Sequence, residues 1–552
     1  MPLDLPPPLP PQQAEIVVLE KRHASAPKDQ VIELAINKYT LLVSGNTYLA
    51  EKRIREVTSV AQTPSQAILL LNALYAADGH LFVNVQYARQ QDTIFVQVNE
   101  GYLAEVDAPP RLQPYFEPFE GQRGLTETDL EPRRVLAELK ATRAGFNMTG
   151  KYSIDADNPE AYTWTIDGEP IPDHDKFKFG AAFGNPGNRF LGRYFGLGNA
   201  SYSAPNGDTF TLGYAHGFTN LGSSRGGENF NRGDFNYATV TRWGLYGFNA
   251  AYTDYAISNL VGSPAGGGAD TLPGDEEDAE IIELGLTGNQ FLYANDKTRV
   301  VLEQQLEYVD SVIDFSAPDA FRGQDIQDEQ YAALRVGGTA SHSWELFDRN
   351  GNLNGGLGYK RGIAGDVDTD FPTLGDPLRT EDFDIVDGKF DAAYELPWNM
   401  LLGLNLKGQL SLDDRLPQQQ QWVLGGPDNL SAFLPGILVG DGGSFGNLRL
   451  QLPRGEIFEN VRYRFSLFIE AGLSKFEKAS GDTRGIRSAS DAGVKLEVAL
   501  YENLQLTVHV AEEITTNNIP REVLEDSDSD VFFNLRAQFE LAINCLLDQL
   551  VK

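Results

Sequence analysis

A two-residue alternation of apolar and polar side chains begins near Phe177 and runs, interrupted only at turns, to Phe539. Phe177, Phe179, Ala181 and Phe183 fall on one face, as do Phe210, Leu212 and Tyr214 after a Pro205-Asn-Gly-Asp208 turn. The period returns at Ile282, Leu284 and Leu286; at Val300, Leu302, Gln304 and Leu306; at Phe390, Ala392, Tyr394 and Leu396; and at Val494, Leu496, Val498 and Leu500. Side chains two apart share a face in an extended strand, so this region is β-structure. No run of 18 or more apolar residues occurs, the most apolar stretch lying near 67–77, which excludes a transmembrane helix. Any membrane crossing must use strands. A soluble sandwich needs a shared core between two sheets and seldom runs this long as one domain, whereas a membrane barrel sets one face of every strand on lipid and the other on a polar lumen.

The connections follow the same logic. Tight turns at Pro205-Asn-Gly-Asp208, Asp348-Arg-Asn-Gly351 and Leu396-Pro-Trp-Asn399 alternate with long acidic or Gly-rich stretches at 255–279 and 415–445. Short turns at one end and long loops at the other are how membrane barrels are built. The last clear strand, 531–539, is rich in aromatics and precedes a tail that reaches Lys552. A formal charge of -33 excludes nucleic acid as a partner, because binding phosphates requires Lys and Arg to replace counterions. The acidic runs Gly274-Asp-Glu-Glu-Asp278 and Glu525-Asp-Ser-Asp-Ser-Asp530 are read as solvated loops. A lone Cys545 rules out an intrachain disulfide and a multi-Cys zinc site. The first residues, Met1-Pro-Leu-Asp-Leu-Pro-Pro-Pro8, lack the charged and apolar regions of a secretory signal, so the numbering is expected to begin at a processed or engineered start.

The N-terminal third differs. Residues 1–35 read as a Pro-rich linker or mobile arm, with a short helix at 15–21. Then come a strand ending in Gly45-Asn46-Thr47, helices over 50–57 and from Pro64 to Gly79, strands at 81–87 and 93–98, and an extended segment at 102–106. This order, with Leu74-Tyr75, Gly79, Val98-Asn99-Glu100-Gly101, Leu103 and Val106, resembles a polypeptide-transport-associated (POTRA) domain. Boundaries of 36–107 are expected for it. A second such unit spans 108–172, with a helix at 127–140 and strands at 146–154 and 161–166. The barrel occupies 173–541 and a tail 542–552 follows.

One stretch of the barrel carries a further likeness. Gly408-Gln-Leu-Ser-Leu412 leads to Leu416, then to Gln421-Trp-Val-Leu-Gly425-Gly426-Pro-Asp-Asn-Leu430-Ser431-Ala432-Phe433 and Gly440-Asp-Gly-Gly443. It resembles the region of two-partner secretion transporters, the haemolysin secretion and activation type, in which a long loop folds back into the lumen; here that loop is 415–445. Relatives carry Val-Arg-Gly-Tyr or Val-Arg-Gly-Phe where this chain has Leu430-Ser431-Ala432-Phe433, so Ser431 stands in the arginine position. A second motif of the family, Phe-x-Asp-x-Gly on a barrel strand, is matched by Phe468, Glu470 and Gly472. In the family that acid pairs with the loop arginine, since a buried charge is costly unless paired. Glu470 therefore needs another partner: Ser431, a basic residue such as Arg449, or lumen water.

The resemblance implies a mainly β membrane protein: an antiparallel barrel of sixteen strands preceded by two small α+β domains. About 23 residues would then serve each strand and its connection, with strands of about 9 to 11 residues; fourteen or eighteen strands would also fit. It implies export of an unfolded, adhesin-like or haemolysin-like exoprotein through the outer membrane of a Gram-negative bacterium, without nucleotide, cofactor, metal or enzymatic step. The POTRA domains would lie in the periplasm, and outer-membrane lipid, lipopolysaccharide and the barrel-assembly machinery would be further partners. Strand addition would capture the exoprotein on a POTRA edge formed by Leu81, Val83, Val85 and Tyr87 with Leu71 and Leu74 of the adjacent helix. A barrel-assembly factor of the same superfamily and a diffusion porin are the alternatives. Three short motifs are set aside. Gly222-Ser-Ser224-Arg-Gly226 lacks the strand-to-helix elbow of a hydrolase; Asp366-Val-Asp368-Thr-Asp370 lacks the turn glycine and bidentate acid of a calcium loop; Arg232-Gly-Asp234 is short enough to arise by chance. The six His, His174, His216 and His509 among them, show no metal-ligand spacing.

Overall fold

The computed structural model describes residues 9–540 apart from 28–29, 156–157, 173, 188–190, 219–220, 222–226, 259–275, 296, 318–324, 369–378, 413–414, 478–484, 502, 522 and 525–530. The Gly222–Gly226 pattern, Asp370, Cys545, the acidic run at 525–530 and the tail 542–552 lie outside the described residues.

The first α+β domain is a five-stranded sheet built from β1 (Gln12–Gln13), β2 (Ile32–Ile36), β3 (Tyr39–Ser44), β4 (Val83–Gln90) and β5 (Thr93–Glu100), in the order β1-β4-β5-β3-β2. Helices α2 (Glu51–Thr58) and α3 (Pro64–Ala77) cover one face. Pro64 opens α3, whose N-cap Thr63 side chain accepts from the Gln66 N–H at 3.2 Å. The core joins Ile54, Ile68, Leu71 and Leu74 to Leu41, Val43, Val83, Val85, Ile94, Val96 and Val98. The residues that carried the POTRA resemblance meet at Glu100. Its carboxylate accepts the N–H groups of Thr47 and Tyr48, each at 2.8 Å, the Tyr75 hydroxyl at 2.9 Å and the Thr47 hydroxyl. Burial and this carboxylate push the Tyr75 phenol up. Gly45 holds a φ of +82°, and a Cβ there would run into the Val98 carbonyl.

Two sequence expectations shift. The arm at 1–35 is partly structured: Gln12 and Gln13 pair in parallel with Gln86 and Tyr87, and α1 (Ile16–Ser25) lies against β4 and β5. Its Leu19 is buried, an anchor that Pro-rich composition hides. β6 (Tyr102–Asp107), expected in the first domain, pairs instead with β8 (Ala161–Pro170), which also pairs with β7 (Phe146–Ile154). Gly101 makes the transfer between sheets, and a Cβ there would lie 2.5 Å from the Glu160 carbonyl oxygen and 2.6 Å from the Tyr162 ring. Helices α4 (Gln113–Phe116) and α5 (Glu127–Arg143) complete the second domain, α5 opening with a Thr126/Asp129 capping box.

Sixteen antiparallel strands, from Phe177–Gly184 to Val531–Glu540, close into a barrel. One of them is interrupted: Gly442–Gln451 continues as Gly455–Phe458 past a break at 452–454, and both parts pair with Val461–Lys475. Closure runs from Asn534↔Gly184 to Glu540↔Lys178. Leu212, Tyr214, Ile282, Leu286, Leu357, Leu410 and Val494 stand exposed on the outside, as the alternation requires. Among the described residues no helix is long and apolar enough to cross a membrane. Strand length departs from the expected 9 to 11. Glu276–Ala294, Thr298–Ala317, Asp325–Leu346 and Arg349–Asp368 have 19, 20, 22 and 20 residues, because their pairing continues beyond the stretch that an apolar layer needs. The second domain sits on the short-turn rim. There Tyr115 Oη and Lys140 Nζ both donate to the Val240 carbonyl at 2.9 Å, Arg111 reaches the Pro205 carbonyl at 3.0 Å, and Val240 joins the domain's core.

Candidate functional site

Between the strands Met400–Ser411 and Gly442–Gln451 the chain turns inward and spans the lumen; the loop expected at 415–445 ends at Asp441, because residues 442–445 pair in the barrel wall. A three-residue hairpin, Trp422–Leu424 with Leu438–Gly440, forms its stem. Leu424 and Leu438 of the stem, with Leu430, Ala432, Phe433 and Ile437 beyond it, are buried against Phe445, Phe468, Ala489 and Ala511 of the wall. Gly425 and Gly426 take φ values of +123° and +91°, which only glycine adopts without strain. Phe468, Glu470 and Gly472 face inward, since Leu467 and Ile469, which alternate with them, are exposed outside. The motif thereby has a physical meaning. A Cβ at Gly472 would come within 2.5 Å of Leu424 Cδ1 and 3.1 Å of Leu430 Cδ1, so glycine lets the loop lie flat on the strand.

Glu470 is 1% exposed and accepts the N–H groups of Leu430 and Ser431 at 3.1 and 2.8 Å, together with the Asn447 side-chain amide. Asp491, its cross-strand partner, accepts the N–H of Ala432 at 2.8 Å. Three successive backbone donors at 430–432 thus meet two wall carboxylates, a concave anion-binding backbone in place of a guanidinium. Ser431 does not bond Glu470 through its hydroxyl; its Oγ accepts the Asp428 N–H at 3.0 Å and shapes the turn. Nor does Arg449 reach Glu470 here. It pairs with Asp428 of the loop, which also binds Lys495 Nζ at 2.9 Å and lies 3.9 Å from His509 Nε2. The ion pair has reversed polarity, with the acid on the loop and the cations on the wall.

A second attachment was not foreseen. The Gln418 N–H donates to Glu329 at 2.9 and 3.1 Å. The Gln420 side chain donates to Glu307 and to the Tyr331 hydroxyl, both at 2.8 Å, and accepts from Lys360 Nζ at 2.9 Å. Leu416 is buried with Ile281, Val309, Tyr331, Ala333, Phe383 and Ile385 on that side of the barrel. Asp441 accepts the N–H groups of Leu416 at 3.0 Å and Glu477 at 2.9 Å, closing the base. The run 418–421 was visible as four glutamines, but its partners lie up to 113 residues away and no spacing announces them.

The expected capture residues need correction. Leu71, Leu74, Val83 and Val85 are core, Leu81 is buried with the second domain, and Tyr87 leans on the first core. Strand alternation explains it: the odd positions of β4 point at α2 and α3, so what the edge offers is backbone and the even positions.

A closed membrane barrel preceded by two α+β domains, the second of them seated on its rim, and a loop anchored across its lumen define the class of fold. No family model matches the sequence, and no curated protein matches it either. Among solved structures the chain is similar to CdiB from Escherichia coli, at 15% identity over 92% of this chain and 91% of that one, with a TM-score of 0.68. It is also similar to CdiB from Acinetobacter baumannii, at 12% identity over 93% and 91%, with a TM-score of 0.62. The fold over 92–93% of the chain is therefore shared with two CdiB proteins.

Proposed function

We propose that the protein is an outer-membrane transporter of the two-partner secretion type, which moves an unfolded exoprotein from the periplasm to the cell surface through a lumen gated by loop 415–441. The observation that carries this reading is a loop that crosses the lumen and is attached to two separate sides of the barrel, each time by hydrogen bonds to wall carboxylates beside an apolar seat. A diffusion porin has no need of such a crossing or of two α+β domains. No nucleotide is required, since folding of the exoprotein outside supplies direction. The test is co-expression with the product of a neighbouring large exoprotein gene, scoring its release into the medium. Release that depends on the barrel supports the reading; normal release without it overturns it. In planar bilayers, deletion of 415–441 should replace small gated currents by a large steady one, and an unchanged current would remove the gating role.

A further inference from the structure

The sheet of the first α+β domain has two faces, one apolar and one mixed. On the mixed face Ser44, Gln97, Asn84, Gln86 and Asn99 stand beside an apolar strip of Leu42, Phe95 and Ala88. Asn84 and Asn99 are direct cross-strand partners, as are Gln86 and Gln97, so amides line up across β4 and β5. Helix α1 lies on this face: Arg22 donates to the Asn99 Oδ1 at 3.1 Å, His23 Nδ1 is 2.9 Å from Ser44 Oγ, and the His23 and Phe95 rings meet edge to face. The match is poor. Asn84 is 1% exposed with neither amide atom bonded to a partner among the described residues, and Asn99 Nδ2 and His23 Nε2 are buried in the same state. Each unmatched polar group of this kind works against the covered arrangement. Meanwhile α1 itself is weakly held: Leu19 is its one buried residue, while Val17 and Val18 remain exposed.

The free edge of the sheet is treated in the same way. β4 would be an edge strand but for Gln12 and Gln13, which pair with only Gln86 and Tyr87, assisted by the Ala14 N–H donating to the Tyr87 carbonyl at 3.0 Å. Most of β4 therefore keeps an unpaired side, and the two residues seated there show that an added strand runs parallel to it.

We propose that residues 12–25 are a displaceable cover over the surface on which the first domain receives its export substrate, an extended polypeptide segment that adds in parallel to β4 and presents hydrogen-bonding side chains beside Asn84. The inference rests on the transport reading and names its intake surface. Backbone pairing along the edge accepts any sequence, and the amides beneath select segments with polar side chains at alternate positions. Covering the surface while no substrate is present keeps it from pairing with the edge of a second copy.

The test uses the full-length protein in lipid nanodiscs, in a Cys545→Ser background. Gln12→Cys with Gln86→Cys locks the cover when oxidised, and Leu19→Asp releases it. The probe is a fluorescently labelled synthetic peptide of residues 9–25, followed by anisotropy. Because apparent affinity scales with the fraction of uncovered molecules, Leu19→Asp should bind at least about tenfold more tightly than the parent, and the oxidised pair at least about tenfold less tightly, with reductant restoring it. In cells the oxidised pair should stop exoprotein release while barrel conductance is unchanged. Equal peptide affinity in all forms, or undiminished release from the oxidised pair, overturns the proposal and leaves the transport reading standing. Dimerisation of the Leu19→Asp form in place of peptide uptake also overturns it. If the parent releases no exoprotein at all, the transport reading falls, and the peptide titration still reports whether the cover moves.

Discussion

At the residue scale, Glu470 shows how a buried acid is hydrogen-bonded with no ion pair at contact distance among the described residues. Two backbone N–H groups and an asparagine amide do the work, and each such bond contributes about 1 kcal/mol. Removing the carboxylate leaves the Leu430 and Ser431 donors facing the wall unpaired. Glu470→Ala is therefore expected to raise the open fraction in single-channel recordings by about tenfold or more, and Glu470→Gln, which keeps an acceptor, by less. Recordings indistinguishable from the parent would show that the loop is held elsewhere. The reversed ion pair makes its own prediction. Asp428→Lys should destabilise the docked loop by placing like charges beside Lys495 and Arg449, and Lys495→Glu added to it should recover most of the loss. Conductance traces in which the second substitution only worsens the first would contradict the pairing. The residues of both motifs were readable in the sequence, and so was the missing arginine. What filled its place was not, because backbone N–H groups leave no trace in composition and Asp428 was seen only as a loop acid.

At the scale of the element, alternation exposed the barrel strands and apolar periodicity exposed the two helices of the first domain, since both depend on local spacing alone. Partner choice did not show. β6 looks like any strand of the first domain until its pairing with β8 is seen, and the odd positions of β4 could face a groove or a core with equal ease. The loop is the element where this matters most. Its base bonds to Glu307, Glu329, Tyr331 and Lys360, and its tip to Glu470, Asp491 and Lys495, with no residue common to both sets. Contributions from independent sites add to within about 0.3–0.5 kcal/mol. Gln420→Ala combined with Glu470→Ala should accordingly shift the open fraction by the product of the two single effects, read from the same bilayer recordings. A double variant no more open than one single variant would mean that the two ends release together.

At the scale of the whole molecule, the second α+β domain and the barrel share a core through Val240, Leu245 and Phe291 as well as the hydrogen bonds to the Val240 carbonyl. Lys140 holds both that carbonyl and, at 3.8 Å, the Asp208 carboxylate of the Pro205–Asp208 turn. Lys140→Ala should cost about 1–2 kcal/mol of docking, a bond to a charged donor, without unfolding either part. Spin-label distances between α5 and the rim would broaden while the melting of the barrel stays in place; a distribution as narrow as the parent's would mean that the apolar contact suffices.

The unequal strands give the barrel a lopsided mouth. The strands Phe177–Gly184, Tyr194–Ser203 and Thr209–Phe218 have 8 to 10 residues, against 19 to 22 in the four from Glu276 to Asp368. Tight turns join their near ends at the short-turn rim, so the surplus, about 30 Å of strand length at roughly 3.3 Å per residue, extends toward the opposite end and on one side only. That end is a spout with a high back and a low lip. On the proposed transport reading, a polypeptide leaving it would be shielded on one flank by a curtain of strand and open to solvent on the other, so its first folded residues would collect on the same side of the pore.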